Sequence, residues 1–177
     1  LTYGNNEIIK TYGGPEFRVS GRYLLQEDLS VKISYNTTYQ YIHTLSNNTT
    51  ASPTDTYKLS NTYIKPQRGS QYSLGFYKNL KNNTYELSTE AYYKDSQDIL
   101  DYKVGAQLFL NENIETEVLQ GEGRSYGFEL LLKKTKGDLN GWLGYTYSRS
   151  MIQLDGDFRE ERVNNGEYFP SNFDKPH

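Results

Sequence analysis

Phe17-Arg18-Val19-Ser20-Gly21-Arg22-Tyr23-Leu24-Leu25, then Gln26-Glu27-Asp28, then Leu29-Ser30-Val31-Lys32-Ile33-Ser34-Tyr35-Asn36-Thr37-Thr38-Tyr39-Gln40-Tyr41, is the stretch that decides the fold. On both sides of Gln26-Glu27-Asp28 the odd positions are mostly apolar or aromatic and the even ones mostly polar. A period of two over this length means strands with one apolar and one polar face. A hairpin must also match its faces across the turn. With Leu25 opposite Leu29, Tyr23 meets Val31, Gly21 meets Ile33, Val19 meets Tyr35 and Phe17 meets Thr37, all on one face, so the register closes.

Two further units repeat the pattern. Tyr72, Leu74, Phe76 and, less comfortably, Lys78 continue past Lys81-Asn82-Asn83-Thr84 as Tyr85, Leu87, Thr89, Ala91 and Tyr93. Leu80 then pairs with Tyr85, and the other face pairs Asn79 with Glu86, Tyr77 with Ser88 and Gly75 with Glu90. In the third unit Tyr126, Phe128, Leu130 and Leu132 are expected opposite Tyr147, Tyr145, Leu143 and Gly141, around a turn at Thr135-Lys136-Gly137-Asp138. Its weak point is Leu131 beside Trp142 on the polar face.

The sequence therefore predicts an all-β fold, an antiparallel meander of about six strands in a single segment, residues 1–177. The hairpins fall at about 17–42, 71–93 and 124–149, with tight turns between strands and long polar loops at 43–69, 95–122 and 150–177. Short turns at one end and long loops at the other mark a transmembrane β-barrel, whose short turns lie on the periplasmic side. Mean hydropathy is −0.83, and no apolar run approaches the eighteen or so residues of a membrane helix. Barrel strands are compatible with that, because they dilute apolar residues one to one with polar ones. Aromatics make up 15% of the chain, 18 of them Tyr, and their positions carry the argument. Tyr23, Tyr85 and Trp142 stand near the short-turn ends; Tyr39, Tyr41, Tyr72, Tyr93, Tyr126 and Tyr147 stand near the long-loop ends. Two such belts are what a bilayer with two interfaces selects. Six strands are too few for a closed barrel, whose smallest single-chain form has about eight, so the chain is expected to be a piece of a larger one.

Other chemistries find little material. The absence of Cys leaves no disulfide frame and no thiolate metal site. A net charge of −3 gives no general attraction to nucleic acid. His43 and His177 read as solvated loop histidines without a catalytic or metal constellation around them. Glu86 and Glu90 share a strand face but stand about 13 Å apart at the usual rise, wider than a glycosidase pair, and read as lumen wall. Asp155-Gly156-Asp157 lacks the spaced ligands of a calcium loop. Gly75, Gly127 and Gly144 fall on the polar face, where a missing side chain leaves room for an aromatic or an inserted segment. No catalytic residue, metal ligand or cofactor is assigned.

Gly14-Pro15-Glu16-Phe17-Arg18-Val19-Ser20-Gly21-Arg22-Tyr23 with Glu27-Asp28-Leu29-Ser30-Val31-Lys32 resembles the barrel of TonB-dependent outer-membrane receptors. So do Ile64-Lys65-Pro66 through Gly75, Gly121-Glu122-Gly123-Arg124-Ser125-Tyr126-Gly127-Phe128-Glu129-Leu130, and Phe169-Pro170 through His177. The Tyr- and Asn-rich style is most like the receptors of Bacteroidetes. The resemblance implies a large closed barrel in the outer membrane, contacting its lipid. It further implies an N-terminal plug, absent from this segment, and import of a scarce iron chelate, vitamin or glycan on energy relayed by TonB; the segment alone would transport nothing. The long loops would then lie outside the cell, and Tyr57, Tyr63, Lys65, Arg68, Tyr102 and Tyr168 are the candidate ligand contacts, suited to stacking on sugars or to an anionic chelate. The competing reading is a secreted soluble β-domain that binds carbohydrate or protein. Such a domain would have to bury Leu29, Val31, Ile33, Tyr35, Tyr39 and Tyr41 against a second layer.

Overall fold

A computed structural model describes residues 2–3, 7–8, 10–45, 56–103, 105–106, 111, 113–156 and 161–177. One antiparallel sheet dominates. It contains β3 (Arg18–Gln26), β4 (Leu29–Gln40), β7 (Gln67–Leu80), β8 (Tyr85–Tyr102), β9 (Val118–Lys134), β10 (Gly141–Gln153) and the two-residue β11 (Phe169–Pro170), each neighbouring the next. Two small hairpins stand apart, β1 (Thr2–Tyr3) with β2 (Glu7–Ile8), and β5 (Ile42–Leu45) with β6 (Thr56–Leu59). The six long strands form the expected meander, and the sheet is open, with β3 at one edge.

The faces sort as the alternation requires. Val31 lies opposite Phe76, Phe76 opposite Thr89, Thr89 opposite Leu130 and Leu130 opposite Tyr145. Two levels toward the long loops, Tyr35, Tyr72, Tyr93 and Tyr126 form a continuous tyrosine row across four strands, with the Tyr35 and Tyr72 rings 4.8 Å apart. The opposite face carries Lys32, Gly75, Glu90, Glu129 and Thr146 in one row. Ile33 is 60% and Leu143 71% exposed, and the few buried apolar residues, Leu45, Ile64, Ile114, Val118 and Leu154, all lie outside the central part of the sheet. No second layer of described residues covers the apolar face, which is the condition a soluble domain would have to meet.

The stretch expected as loop 43–69 contains the β5–β6 hairpin and the start of β7, and β10 and β11 reach into 150–177; register and boundaries differ from expectation at three further places. In the first hairpin Gln26, not Leu25, faces Leu29, and the ladder is irregular between Leu24 and Gln26, leaving a two-residue turn, Glu27-Asp28. Lys78 explains the shift: its ammonium reaches Gln26 Oε1 at 3.2 Å and the Asp28 carboxylate at 2.8 Å, while the Asn79 N–H donates to the Asp28 carbonyl. The basic residue on the apolar face thus sits at the sheet's end with its charge drawn to the turn. In the third hairpin the register is displaced by two residues. Phe128 faces Tyr147, Leu130 faces Tyr145 and Lys134 faces Gly141, so the connection spans residues 135–140. Thr135 is held to the neighbouring turn, its N–H donating to the Thr84 carbonyl and its hydroxyl to that of Asn83, and Gly137 takes φ +99° to turn the chain. Third, β8 runs to Tyr102 and β9 begins at Val118, so much of the stretch expected as loop 95–122 is strand. The segment after β11 also follows β10. The Ser171 N–H donates to the Ser150 carbonyl, and the Asp174 carboxylate accepts the Ser150 N–H at 2.7 Å and the Arg149 Nε at 3.0 Å.

Trp142 is opposite Lys133 and shares the polar face with Gly144 and Thr146, so it does not belong to an outward aromatic belt. It covers a glycine instead. A Cβ at Gly144 would lie 3.5 Å from the Trp142 ring, one at Gly75 would lie 2.9 Å from the Tyr77 hydroxyl oxygen, and one at Gly127 would lie 2.7 Å from the Tyr92 ring. Gly75 and Gly127 therefore make room for an aromatic ring, whereas at Gly144 a side chain would only touch the Trp142 ring. Across the same face the Arg22 guanidinium lies 5.7 Å from the Tyr77 ring centre and donates from Nε to Ser30 Oγ, and the Tyr77 hydroxyl donates to Glu90 Oε2 at 2.9 Å. Those contacts relieve the repulsion between Arg22 and Lys32, which face each other directly.

Candidate functional site

The long-loop end carries the molecule's one cluster of buried apolar side chains among the described residues. Leu45 from β5, Ile64, Ile114 and Val118 pack together, with Leu100 and Tyr102 against them. Alternation in β5 builds the inner wall, with His43 and Leu45 buried and Ile42 and Thr44 exposed. Asn61 sets the following bend, its Oδ1 accepting the N–H groups of Tyr63 and Ile64, an Asx turn that leaves Tyr63 79% exposed and Ile64 1%. Polar bonds close the rim. Lys58 pairs with Glu115 at 2.7 Å, Asn61 Nδ2 donates to Glu115 at 3.0 Å, and Gln120 exchanges two hydrogen bonds with the Lys65 backbone, each 2.9 Å.

His43 corrects the reading of a solvated loop histidine: it is buried, and its Nε2 shares a 2.9 Å hydrogen bond with Ser60 Oγ. Burial lowers its pKa from the usual value, because the charged ring would lose hydration. The seating of the β5–β6 hairpin should therefore be full above about pH 6.5, the ordinary histidine value, and weaken as pH falls below it, where the undocked hairpin takes up the proton more readily. Hydrogen exchange of residues 42–45 and 56–59 in the full-length protein, corrected for intrinsic rates, should accelerate between pH 7.5 and 5.5. The pH dependence should vanish in His43→Gln. His177, by contrast, lies near the Tyr145 and Tyr147 rings, sharing a 2.9 Å bond with the Tyr145 hydroxyl.

The six candidate contacts do not converge. Tyr57 and Tyr63 are exposed on the β5–β6 lobe, and Lys65 beside them is 3.9 Å from Asp98. Arg68 stacks on Tyr39 on the sheet's tyrosine-row side, its charge 5.9 Å from the ring centre. Tyr102 packs on the buried cluster. Tyr168 lies 4.2 Å from the Arg124 guanidinium and donates to Glu122 Oε2 at 3.0 Å, and burial together with that bond raises its pKa.

Between the Lys65 and Tyr168 contacts lies a hollow of ≈ 600 Å³ walled by Gln97, Asp98, Gln120, Glu122, Gln153 and Asp155. Sequence reading missed these residues. Gln97, Glu122 and Gln153 come from three strands and meet only because the registers of β8, β9 and β10 place them in one row, and nothing in their spacing along the chain announces it.

The family described as TonB dependent receptor-like, beta-barrel matches residues 2–172. The chain belongs to that family. It is therefore part of an outer-membrane receptor, and its bare apolar face is the barrel's lipid-facing wall while the Arg22–Tyr77–Glu90 face lines the lumen. The receptor crosses its membrane with strands, and among its described residues no helix is long and apolar enough to do so. Members of the family transport rather than catalyse. No curated protein and no solved structure matches the chain.

Proposed function

We propose that this chain forms a sector of the wall and outer rim of an importer for a scarce small ligand, an iron chelate, a vitamin or a glycan. In the whole receptor, import draws on TonB and a plug. The observation that carries the reading is the two-faced sheet: a bare apolar face with a tyrosine row opposite a continuous face of charged, hydroxyl and small residues crossing six strands. That arrangement suits a wall between lipid and an aqueous path. Tyr57, Tyr63 and Lys65 are the foremost ligand contacts, being exposed on and beside the β5–β6 lobe at the long-loop end. Arg68, Tyr102 and Tyr168 engage neighbours of their own and would act by shaping the rim.

The test uses cells bearing the full-length receptor and three labelled probes: cyanocobalamin, a ferric hydroxamate and a maltooligosaccharide. One of them should accumulate above the level of a receptor-deleted strain, and Tyr57→Ala with Tyr63→Ala should reduce that accumulation at least fivefold. Accumulation of none of the three would overturn the import reading. Unchanged accumulation in the double variant would remove the two tyrosines from it.

A further inference from the structure

The β5–β6 lobe has two unlike faces. His43 and Leu45 are buried on one, while Ile42 and Thr44, with Leu59 and Tyr57 across from them, are exposed on the other. What seats the buried face is small. Leu45 meets Ile64, Ile114 and Val118, and the hydrogen bonds around that cluster converge on Asn61, whose polar groups are all engaged. Its Oδ1 accepts the Tyr63 and Ile64 N–H groups, its Nδ2 donates to Glu115, its N–H donates to the Ile64 carbonyl, and its own carbonyl accepts the Tyr12 hydroxyl at 2.8 Å. Asn61 thus joins the segment leading into β3, the lobe and the turn before β9, which are 49 and 54 residues away from it along the chain. Beside this node lies the one buried group among the described residues that can change its charge near neutral pH. It is the His43 ring, bonded to Ser60, the residue before Asn61.

We propose that the lobe is an acid-released clamp: a proton taken up by His43 lifts β5–β6, undoes the Asn61 node and loosens the hold of Tyr57 and Tyr63 on a bound ligand. The hold on ligand rests on the import reading, and the release does not. A neutral imidazole can share Nε2 with Ser60 in a buried site, whereas the imidazolium brings a charge and a second donor at Nδ1, which burial opposes. The charges around the ring are already engaged. Lys58, directly across the hairpin, is held by Glu115 at 2.7 Å, and Lys65 in the bend stands 3.9 Å from Asp98. On β8 the Asp101 carboxylate takes the Tyr102 N–H, and just past it Lys103 pairs with Glu161 at 2.7 Å, while Glu117 accepts the Thr116 hydroxyl. Among the described residues the ring's hydrogen-bond partner is Ser60. Glu115 does not titrate in the same range. Burial pushes its pKa up, but the hydrogen bonds from Lys58 and the backbone outweigh that and hold it below the ordinary value, so its bond to Lys58 persists at pH 5.5. The size of the effect follows from linkage. An open lobe, with His43 near its ordinary value of about 6.5, takes up the proton that the seated lobe resists, and gains about tenfold over it between pH 7.5 and 5.5.

The experiment uses the full-length receptor in detergent and two readouts. Spin labels at Thr44→Cys and Gln97→Cys, both exposed positions, report the separation of the lobe from β8. A second, longer distance should grow between pH 7.5 and 5.5, the open-to-seated ratio rising at least threefold, and His43→Gln should hold that ratio constant. Where His43→Gln leaves the lobe open at both pH values, Ser60→Ala decides, because it keeps the imidazole and must stay acid-sensitive. The second readout is equilibrium binding of labelled cyanocobalamin, a ferric hydroxamate and a maltooligosaccharide. The probe that binds at pH 7.5 should weaken at least threefold at pH 5.5 in the parent and keep its neutral affinity in His43→Gln. Label distances that ignore pH, or that respond equally in His43→Gln, would overturn the release. Movement of the lobe with undiminished probe binding would overturn the clamp. Binding of no probe at either pH would remove the import reading, and the label distances alone would then decide the release.

Discussion

Phe76→Arg should destabilise the full-length receptor in phospholipid vesicles by about 2–4 kcal/mol, the cost of an arginine on the lipid face near a barrel's midplane. Phe76 lies midway between Tyr72 in the tyrosine row and Leu80 at the turn end of β7, in a row with Val31, Thr89 and Leu130. It is 45% exposed, and that exposure makes the experiment decisive. On the surface of a water-soluble domain an exposed residue changes stability by only about 0.5 kcal/mol either way, and an added charge would be tolerated. Against lipid the guanidinium must be desolvated or snorkel across half the hydrocarbon. Thr146→Arg is the internal control, because Thr146 is exposed on the lumen face opposite Glu129 and should shift stability by no more than about 0.5 kcal/mol. Urea midpoints for the two variants that fell together would contradict the assignment of faces.

The assignment of faces was legible in the sequence because side-chain period and strand geometry are the same fact. Arg22 opposite Lys32 and Gly75 opposite Glu90 follow from alternation plus a turn. The third hairpin shows where such reasoning loses resolution. A slip of one residue inverts a strand and is excluded by its apolar face, but a slip of two moves Phe128 from Tyr145 to Tyr147 and leaves every face unchanged. Only the length of the 135–140 connection separates the two registers, and Thr135 fixes that length through hydrogen bonds to a different hairpin. The upper half of β8 was illegible for another reason. Lys94-Asp95-Ser96-Gln97-Asp98 stands above the membrane, where both faces are wet and alternation carries no signal. The hollow at the upper ends of β8, β9 and β10 inherits that silence, since it exists only once the unpatterned upper strands are in register.

The lobe above the membrane poses the opposite case, since it is held by burial and not by lipid. Ile64→Ala should cost it about 2–5 kcal/mol, the range for truncating a fully buried isoleucine and leaving a cavity. Ile64 is 1% exposed and meets Leu45, Ile114 and Val118, the buried members of its cluster; with so few partners there is little surrounding structure to collapse into the gap. The effect should be local. The β5–β6 hairpin is a separate two-stranded sheet, a size that is marginal on its own, so it opens as a unit once its contact with β8 and the Ile114–Glu117 turn is weakened. Hydrogen exchange in the full-length variant should accelerate at 42–45, 56–59 and 114–117 and stay at the parent level in the lower halves of β7, β8 and β9, where the ladder is continuous. Ile64→Val, which removes a single methyl, should move the same amides by about 0.5–1.5 kcal/mol. Parent-like exchange at 42–45 and 56–59 in Ile64→Ala would mean that the Lys58–Glu115 and Lys65–Gln120 contacts, not the apolar cluster, seat the lobe.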